Sequence, residues 1–182
     1  MNFETAWLVE GLRRRDPEAC AKLVEAYQVR LFTFFVRRTG DAHAAEDLFQ
    51  DTCLKILNSM ETYHHEGRFE AWVFTIAHRL VVDWTRRTSR REQALNPEFA
   101  SYSGSEAAGE SEAMRVMTSQ ELAQWVMELP GDQRDVVCLH YYGELTMREI
   151  SRVLNVPLGT ALSRMHRALI RLRLVSGERG RA

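Results

Sequence analysis

Thr160, Ser163, Arg164, Arg167 and Arg171 recur at intervals of three and four residues, so on an α-helix they share one side. Hydroxyls and guanidiniums in this arrangement offer no catalytic group. They offer hydrogen-bond donors and charge, the chemistry that pairs with phosphate oxygens and reads base edges in a DNA groove. The other side of the same stretch is apolar: Leu158, Ala161, Met165, Ala168, Leu169 and Leu172 form a core-facing stripe. Just upstream, Thr146 and Glu149 have the spacing of a capping box, which predicts a helix starting at Thr146. Ile150, Val153 and Leu154 give that helix an apolar face, Asn155 suits its left-handed end, and Pro157 suits the first turn of the next helix. Two short helices with a sharp turn, the second carrying donors outward, is the layout of a helix-turn-helix. The same pattern also fits an amphipathic helix with a solvated arginine face, and this stretch alone leaves both readings open.

Two more stretches carry binding chemistry. Residues 68–90 read as a helix with a heavy stripe of Phe69, Trp72, Val73, Ile76, Leu80 and Trp84, mostly core. Its other side holds Thr75, Arg79 and Arg86, with Arg87, Arg90 and Arg91 near the end. A basic face beside aromatic edges can stack on and charge-pair with single-stranded DNA, although arginines there also suit the helix dipole. Residues 42–60 read as a helix with a core stripe of Ala45, Leu48, Phe49, Thr52, Ile56 and Leu57. Asp47, Gln50, Asp51, Leu54 and Asn58 share another face. A leucine exposed within an acidic and amide patch fits a protein-binding surface, and it also fits a lone surface apolar residue.

Charge is segregated along the chain. Five Arg against one Asp lie between Arg79 and Arg91, seven Glu against one Arg between Glu92 and Glu128, and eight Arg against two Glu from Met147 onward. Two basic blocks separated by an acidic one suggest two nucleic-acid contacts joined by a segment that avoids nucleic acid. That segment, with SYSGSEAAGESEA at its centre, lacks periodicity and reads as a flexible linker. No apolar run approaches the ~20 residues a membrane helix needs, and the N-terminus lacks a signal-peptide pattern, so the expected location is the cytoplasm without membrane insertion. Cys20, Cys53 and Cys138 are far apart in apolar contexts and are expected as buried free thiols. His64, His65 and Glu66 are loop neighbours without further ligands, so no metal or cofactor is expected. No nucleophile, base and orienting partner share a motif, which argues against an enzyme.

The remaining helices follow from caps and breakers. Residues 3–14 form a short helix. Asp16-Pro17 opens a second that ends at Gly40, and Asp41 caps the third. After the linker, Leu122, Trp125, Val126 and Leu129 mark a helix ending before Pro130. Another runs from Gly131 to Tyr142, closed by Gly143. There is no strand signal.

In this arrangement the chain resembles the bacterial extracytoplasmic-function sigma factors, promoter-specificity subunits of RNA polymerase. Two blocks carry the resemblance: LVEAYQVRLFTFFVRRTGDAHAAEDLFQDTCLKIL through GRFEAWVFTIAHRLVVDWTRR, and LPGDQRDVVCLHYYGELTMREISRVLNVPLGTALSRMHRALIRLR. The resemblance implies an all-α fold of two small helical domains: a region 2-like domain over 1–91, a linker over 92–118, a region 4-like helix-turn-helix domain over 119–176 and a tail over 177–182. It implies that Asp47, Gln50, Asp51 and Leu54 dock on the clamp of the largest polymerase subunit, with a further contact to the flap of the second-largest. It implies that Trp72, Thr75, Arg79, Arg86 and Arg87 act at the −10 element of promoter DNA. Thr160, Ser163, Arg164, His166, Arg167 and Arg171 would read the −35 element, and an anti-sigma factor would be a further partner. Two positions depart from the family pattern: many members carry Asn at Arg79, and Lys or Arg at Leu162, which is expected partly buried beside the apolar stripe. A free-standing helix-turn-helix regulator with a sensing N-terminal half is the alternative. It would lack the acidic docking helix.

Overall fold

The structure is a computed structural model that describes residues 3–63, 68–95 and 116–179. Among these residues there are helices and no strands: α1 (Phe3–Arg13), α2 (Pro17–Thr39), α3 (Ala42–Ser59), α4 (Phe69–Leu95), α5 (Val116–Glu128), α6 (Gly131–Tyr141), α7 (Met147–Val153) and α8 (Leu158–Arg179). The loop residues His64, His65 and Glu66, and most of the acidic linker, lie outside the described residues.

Local chemistry sets the boundaries. The Asp16 carboxylate accepts from the Glu18 N–H at 3.0 Å, and Pro17 opens α2. Gly40 ends α2 at φ 71°, a left-handed conformation that a side chain would strain. Asp41 then accepts from the N–H groups of His43 at 2.8 Å and Ala44 at 3.2 Å, satisfying orphan donors of α3. Thr146 and Glu149 form the reciprocal capping box, with the Thr146 N–H donating to the Glu149 carboxylate at 2.8 Å and the Glu149 N–H to the Thr146 hydroxyl at 3.4 Å. Thr146→Ala is expected to lower the unfolding free energy by about 1 kcal/mol, seen as an earlier urea midpoint with an unchanged slope. Asn155 takes φ 52°, as its place at the turn of the helix-turn-helix requires.

Gly143 closes α6 as the sequence predicts, and the left-handed residue is the next one, Glu144, at φ 52°. Glycine is needed at 143 for closeness instead: a Cβ there would lie 2.4 Å from the Leu139 carbonyl oxygen.

In the N-terminal half α2, α3 and α4 pack around Phe34, Phe35, Leu48, Ile56 and Phe74, with Leu12 of α1 closing one side. Phe34 meets Phe74 edge-to-face at 5.6 Å, an arrangement the ring quadrupoles favour. Thr52 is buried with its hydroxyl satisfied, since it donates to the Leu48 carbonyl at 2.6 Å. In the C-terminal half α6 is the central helix. Val136, Cys138, Leu139, Leu145, Ile150, Ala161 and Ala168 are buried around it. Burial pushes the Cys138 thiol up to about 12. Cys20 and Cys53 are only half-buried, unlike Cys138, because α2 and α3 leave their outer flank uncovered.

The two halves meet. Buried apolar residues from Val9 to Ala168 form one continuous cluster, and α2 and α4 of the first half pack on α5, α6 and α7 of the second. Arg30 of α2 reaches across, its Nε donating to the Tyr142 carbonyl at 3.0 Å and its Nη2 to the Gly143 carbonyl at 2.7 Å. These carbonyls follow the end of α6 and have no helical partner to accept from. The guanidinium also lies over the rings of Tyr27 and Phe74, at 5.4 and 5.5 Å from their centroids. Arg38 and His78 approach Asp135 of α6, and Arg68 approaches Glu149 of α7 at 3.7 Å.

Candidate nucleic-acid interface

On α8 the buried Ala161 and Ala168 fix which side faces inward. Ser163, Arg167 and Arg171 are exposed. Arg167 donates through Nε to the Ser163 carbonyl at 3.2 Å, which braces the side chain along the helix and leaves its terminal amino groups outward. Neither Arg167 nor Arg171 is in an ion pair among the described residues. Uncompensated guanidiniums on a helix face are what a phosphate backbone attracts.

The other members of that set differ. Thr160 is half-buried at the first turn. His166 is exposed but rotated towards the apolar flank. Arg164 is held within its own domain: its Nε lies 3.2 Å from Asp132 of α6, and its side chain is 23% exposed. The stripe opposite is also narrower than expected. Met165, Leu169 and Leu172 are half-buried and Leu158 is exposed, since α6 and α7 cover only one flank of α8. Leu162, expected partly buried, is 48% exposed for the same reason.

On α4 the core takes Phe69, Val73, Phe74, Ala77, Leu80 and Val81. Arg79, Arg86 and Arg87 are exposed, and none is in an ion pair among the described residues. Trp72 is half-buried in an aromatic group, 4.4 Å from Tyr63 and 5.5 Å from Phe69 between ring centroids. Its position is therefore fixed by packing, and part of its ring remains accessible. The Thr75 hydroxyl donates to the Ala71 carbonyl at 2.7 Å, leaving its lone pairs to accept.

On α3, Asp47, Gln50 and Asp51 are exposed, and Leu54 is 58% exposed between them. Neither aspartate has an ion-pair partner among the described residues. This acidic face and the basic end of α4 are neighbours. An open groove is lined by Asp47, Leu48, Asp51, Trp84, Arg87 and Arg91. Adjacency across two helices could not be read from the chain, because it depends on how α3 and α4 cross.

Sequence reasoning missed the residues that join the halves: Arg30, Arg38, Arg68, His78, Asp135 and Glu149. Apart from Glu149, which belongs to the capping box, none is part of a motif, and each looks like an ordinary surface charge until the fold brings it to a partner far along the chain.

The comparisons with known proteins agree with one another. The family model for sigma-70 region 2 matches residues 23–91, and that for sigma-70 region 4 matches residues 125–174. The chain is similar to the ECF RNA polymerase sigma factor SigW of Bacillus subtilis, with 28% identity over 91% of this chain and 92% of the relative. It is likewise similar to the ECF RNA polymerase sigma factor SigL of Mycobacterium tuberculosis, with 29% identity over 94% and 97%. Its fold is similar to that of the sigma factor RpoE from Bartonella quintana, solved in complex with the anti-sigma factor NepR, with TM-score 0.70, 23% identity and coverage of 86% and 96%. No described helix is long and apolar enough to cross a membrane. With both conserved sigma regions present in order on an all-helical chain, the protein belongs to the extracytoplasmic-function sigma factors, non-catalytic subunits that give RNA polymerase its promoter specificity at initiation.

Proposed function

We propose that three faces divide the work of this sigma factor. The acidic face of α3, Asp47, Gln50, Asp51 and Leu54, docks on the clamp of the largest polymerase subunit. Trp72, Thr75, Arg79, Arg86 and Arg87 of α4 hold the opened −10 strand. Thr160, Ser163, Arg164, His166, Arg167 and Arg171 of α8 read the −35 element, with Arg164 leaving Asp132 to do so. The domain division follows as 1–91 and 119–176, with the linker over 92–118 and the tail over 177–182. The observation that carries this reading is Arg167 and Arg171, exposed on α8 and in no ion pair among the described residues.

The mechanism is additive binding. Each half holds duplex DNA weakly through salt-sensitive phosphate contacts. Once polymerase fixes their spacing, the second contact forms at high effective concentration. Aromatic stacking on Trp72 then offsets part of the cost of unstacking bases. The chain acts in the cytoplasm, where polymerase is, contacts the flap of the second-largest subunit through its C-terminal half, and is restrained by an anti-sigma factor, as the Bartonella protein was captured with NepR. Run-off transcription with core polymerase on genomic fragments tests the whole reading. Discrete start sites that require the added chain are expected. Tight operator selection by the chain alone, indifferent to polymerase, would reject it.

A further inference from the structure

The second helix of a helix-turn-helix enters the major groove by its N-terminal turns, and side chains there meet base edges. In this protein those turns open with Leu158 and carry Leu162, which is 48% exposed; Leu158, one turn before it, is 37% exposed. At 3.6 residues per turn Leu162, Ser163 and His166 lie within about 100° of one another, and the middle of that arc is about 160° from the line of the buried Ala161 and Ala168. Leu162 therefore shares its face with the Ser163 hydroxyl and the His166 ring, both exposed, and stands outside the core seam. Side chains on a helix lean back over the turn N-terminal to their own Cα. For Leu162 that turn holds Gly159, which has no side chain and nothing within 4 Å of the place where a Cβ would stand. The leucine thus overhangs an open notch floored by the backbone of the first turn of α8.

The chemistry of this side chain narrows what the notch can receive. Leucine neither donates nor accepts a hydrogen bond, so it cannot hold a phosphate oxygen or the acceptor edge of guanine, as a hydroxyl or a guanidinium can. Of the four bases, only thymine presents an apolar group in the major groove, its C5-methyl. When leucine and methyl meet, both apolar surfaces leave water, which favours the contact. The other strongly exposed apolar residues of α8, Ile170 and Leu174, lie more than two turns further along, beyond the turns that read bases.

We infer that Leu162 reads thymine: in the −35 element its side chain packs on the C5-methyl group of one base, over Gly159, and this apolar contact is a determinant of promoter choice. The inference rests on the −35 role proposed above for α8. Phosphate contacts from that helix favour every sequence alike. The leucine adds a preference that a phosphate contact cannot give. The departure at this position, Leu for Lys or Arg, then changes which base edge is read rather than only removing a contact.

Replacing thymine by uracil removes the methyl group and leaves base pairing intact, so it isolates the contact. Run-off transcription by the reconstituted holoenzyme is measured on templates in which each thymine of the mapped −35 element, on either strand, is replaced singly by uracil. At one position the wild type should need about fourfold more holoenzyme for half-maximal initiation, the loss expected when one methyl-sized apolar group returns to water. Leu162→Ala should be weaker on the thymine template and indifferent to that replacement. Leu162→Met, which keeps an apolar side chain of similar volume, should keep the preference. Both variants should retain the circular dichroism of the wild type, because Leu162 is not part of the core. The salt slope of Leu162→Ala should equal that of the wild type, since no phosphate contact is lost. A Leu162→Ala variant that loses activity equally on both templates, and so keeps the uracil penalty, would place Leu162 against polymerase and overturn the proposal. So would a −35 element with no thymine whose replacement matters. Initiation that needs the added chain but no −35 element at all would instead strike the role proposed for α8.

Discussion

Asp47→Arg combined with Gln50→Ala is expected to remove co-purification of this protein with core RNA polymerase. Both side chains are exposed, and neither packs in the core that Ala45, Leu48, Thr52 and Ile56 form on the other side of α3. The double variant should therefore fold as the wild type does. Asp47 is in no ion pair among the described residues, so its charge is available to a basic partner surface. Reversing it sets like charges together, which costs several kcal/mol; a loss of about 3 kcal/mol is a roughly 100-fold weaker complex. Pull-down of core subunits on the tagged variant, with circular dichroism to confirm folding, reads the effect. Undiminished recovery of core would remove this face from the docking surface.

Arg167→Ala should cost about 1–3 kcal/mol of promoter binding, or roughly 5- to 150-fold. The measurement is run-off transcription by the reconstituted holoenzyme on paired templates with and without a −35 element. Wild type should favour the former, and the variant should lose most of that preference. The salt dependence identifies the contact: a lost phosphate contact weakens all sequences alike and lowers the salt slope by about one, whereas a lost base contact relaxes preference at one position. Equal activity on both templates before and after the change would remove Arg167 from the reading face. Arg171→Ala on the same templates is a useful companion. Arg164→Ala is a less clear test, because it also breaks the pair with Asp132.

Much of this architecture was legible along the chain because its determinants are local. Asp16, Gly40, Asp41, Thr146, Glu149 and Asn155 act within a few residues of themselves, and each marks the boundary its chemistry predicts. The exposure of Leu54 followed from helical period alone. Three things were not legible. Gly143 reads only as the residue that closes α6, and the sequence does not show that it is required by the approach of Leu139 or that the left-handed conformation falls on Glu144. Leu162 and Leu158 belong to an apolar flank by period, but period does not say how far neighbouring helices extend to cover it. The contacts between the halves join Arg38 to Asp135 and Arg30 to the loop after α6, pairs distant in sequence whose residue types alone suggest solvated charges.

The thiol of Cys138 has a practical consequence. It is fully enclosed at the centre of the helix-turn-helix half, and burial keeps it protonated at neutral pH. Only a thiolate reacts readily with alkylating reagents, so this sulfur is protected twice, by access and by protonation. Its alkylation then keeps time for the opening of α6, and mass spectrometry of the peptide that carries it gives a built-in stopwatch for local unfolding, with no foreign label attached.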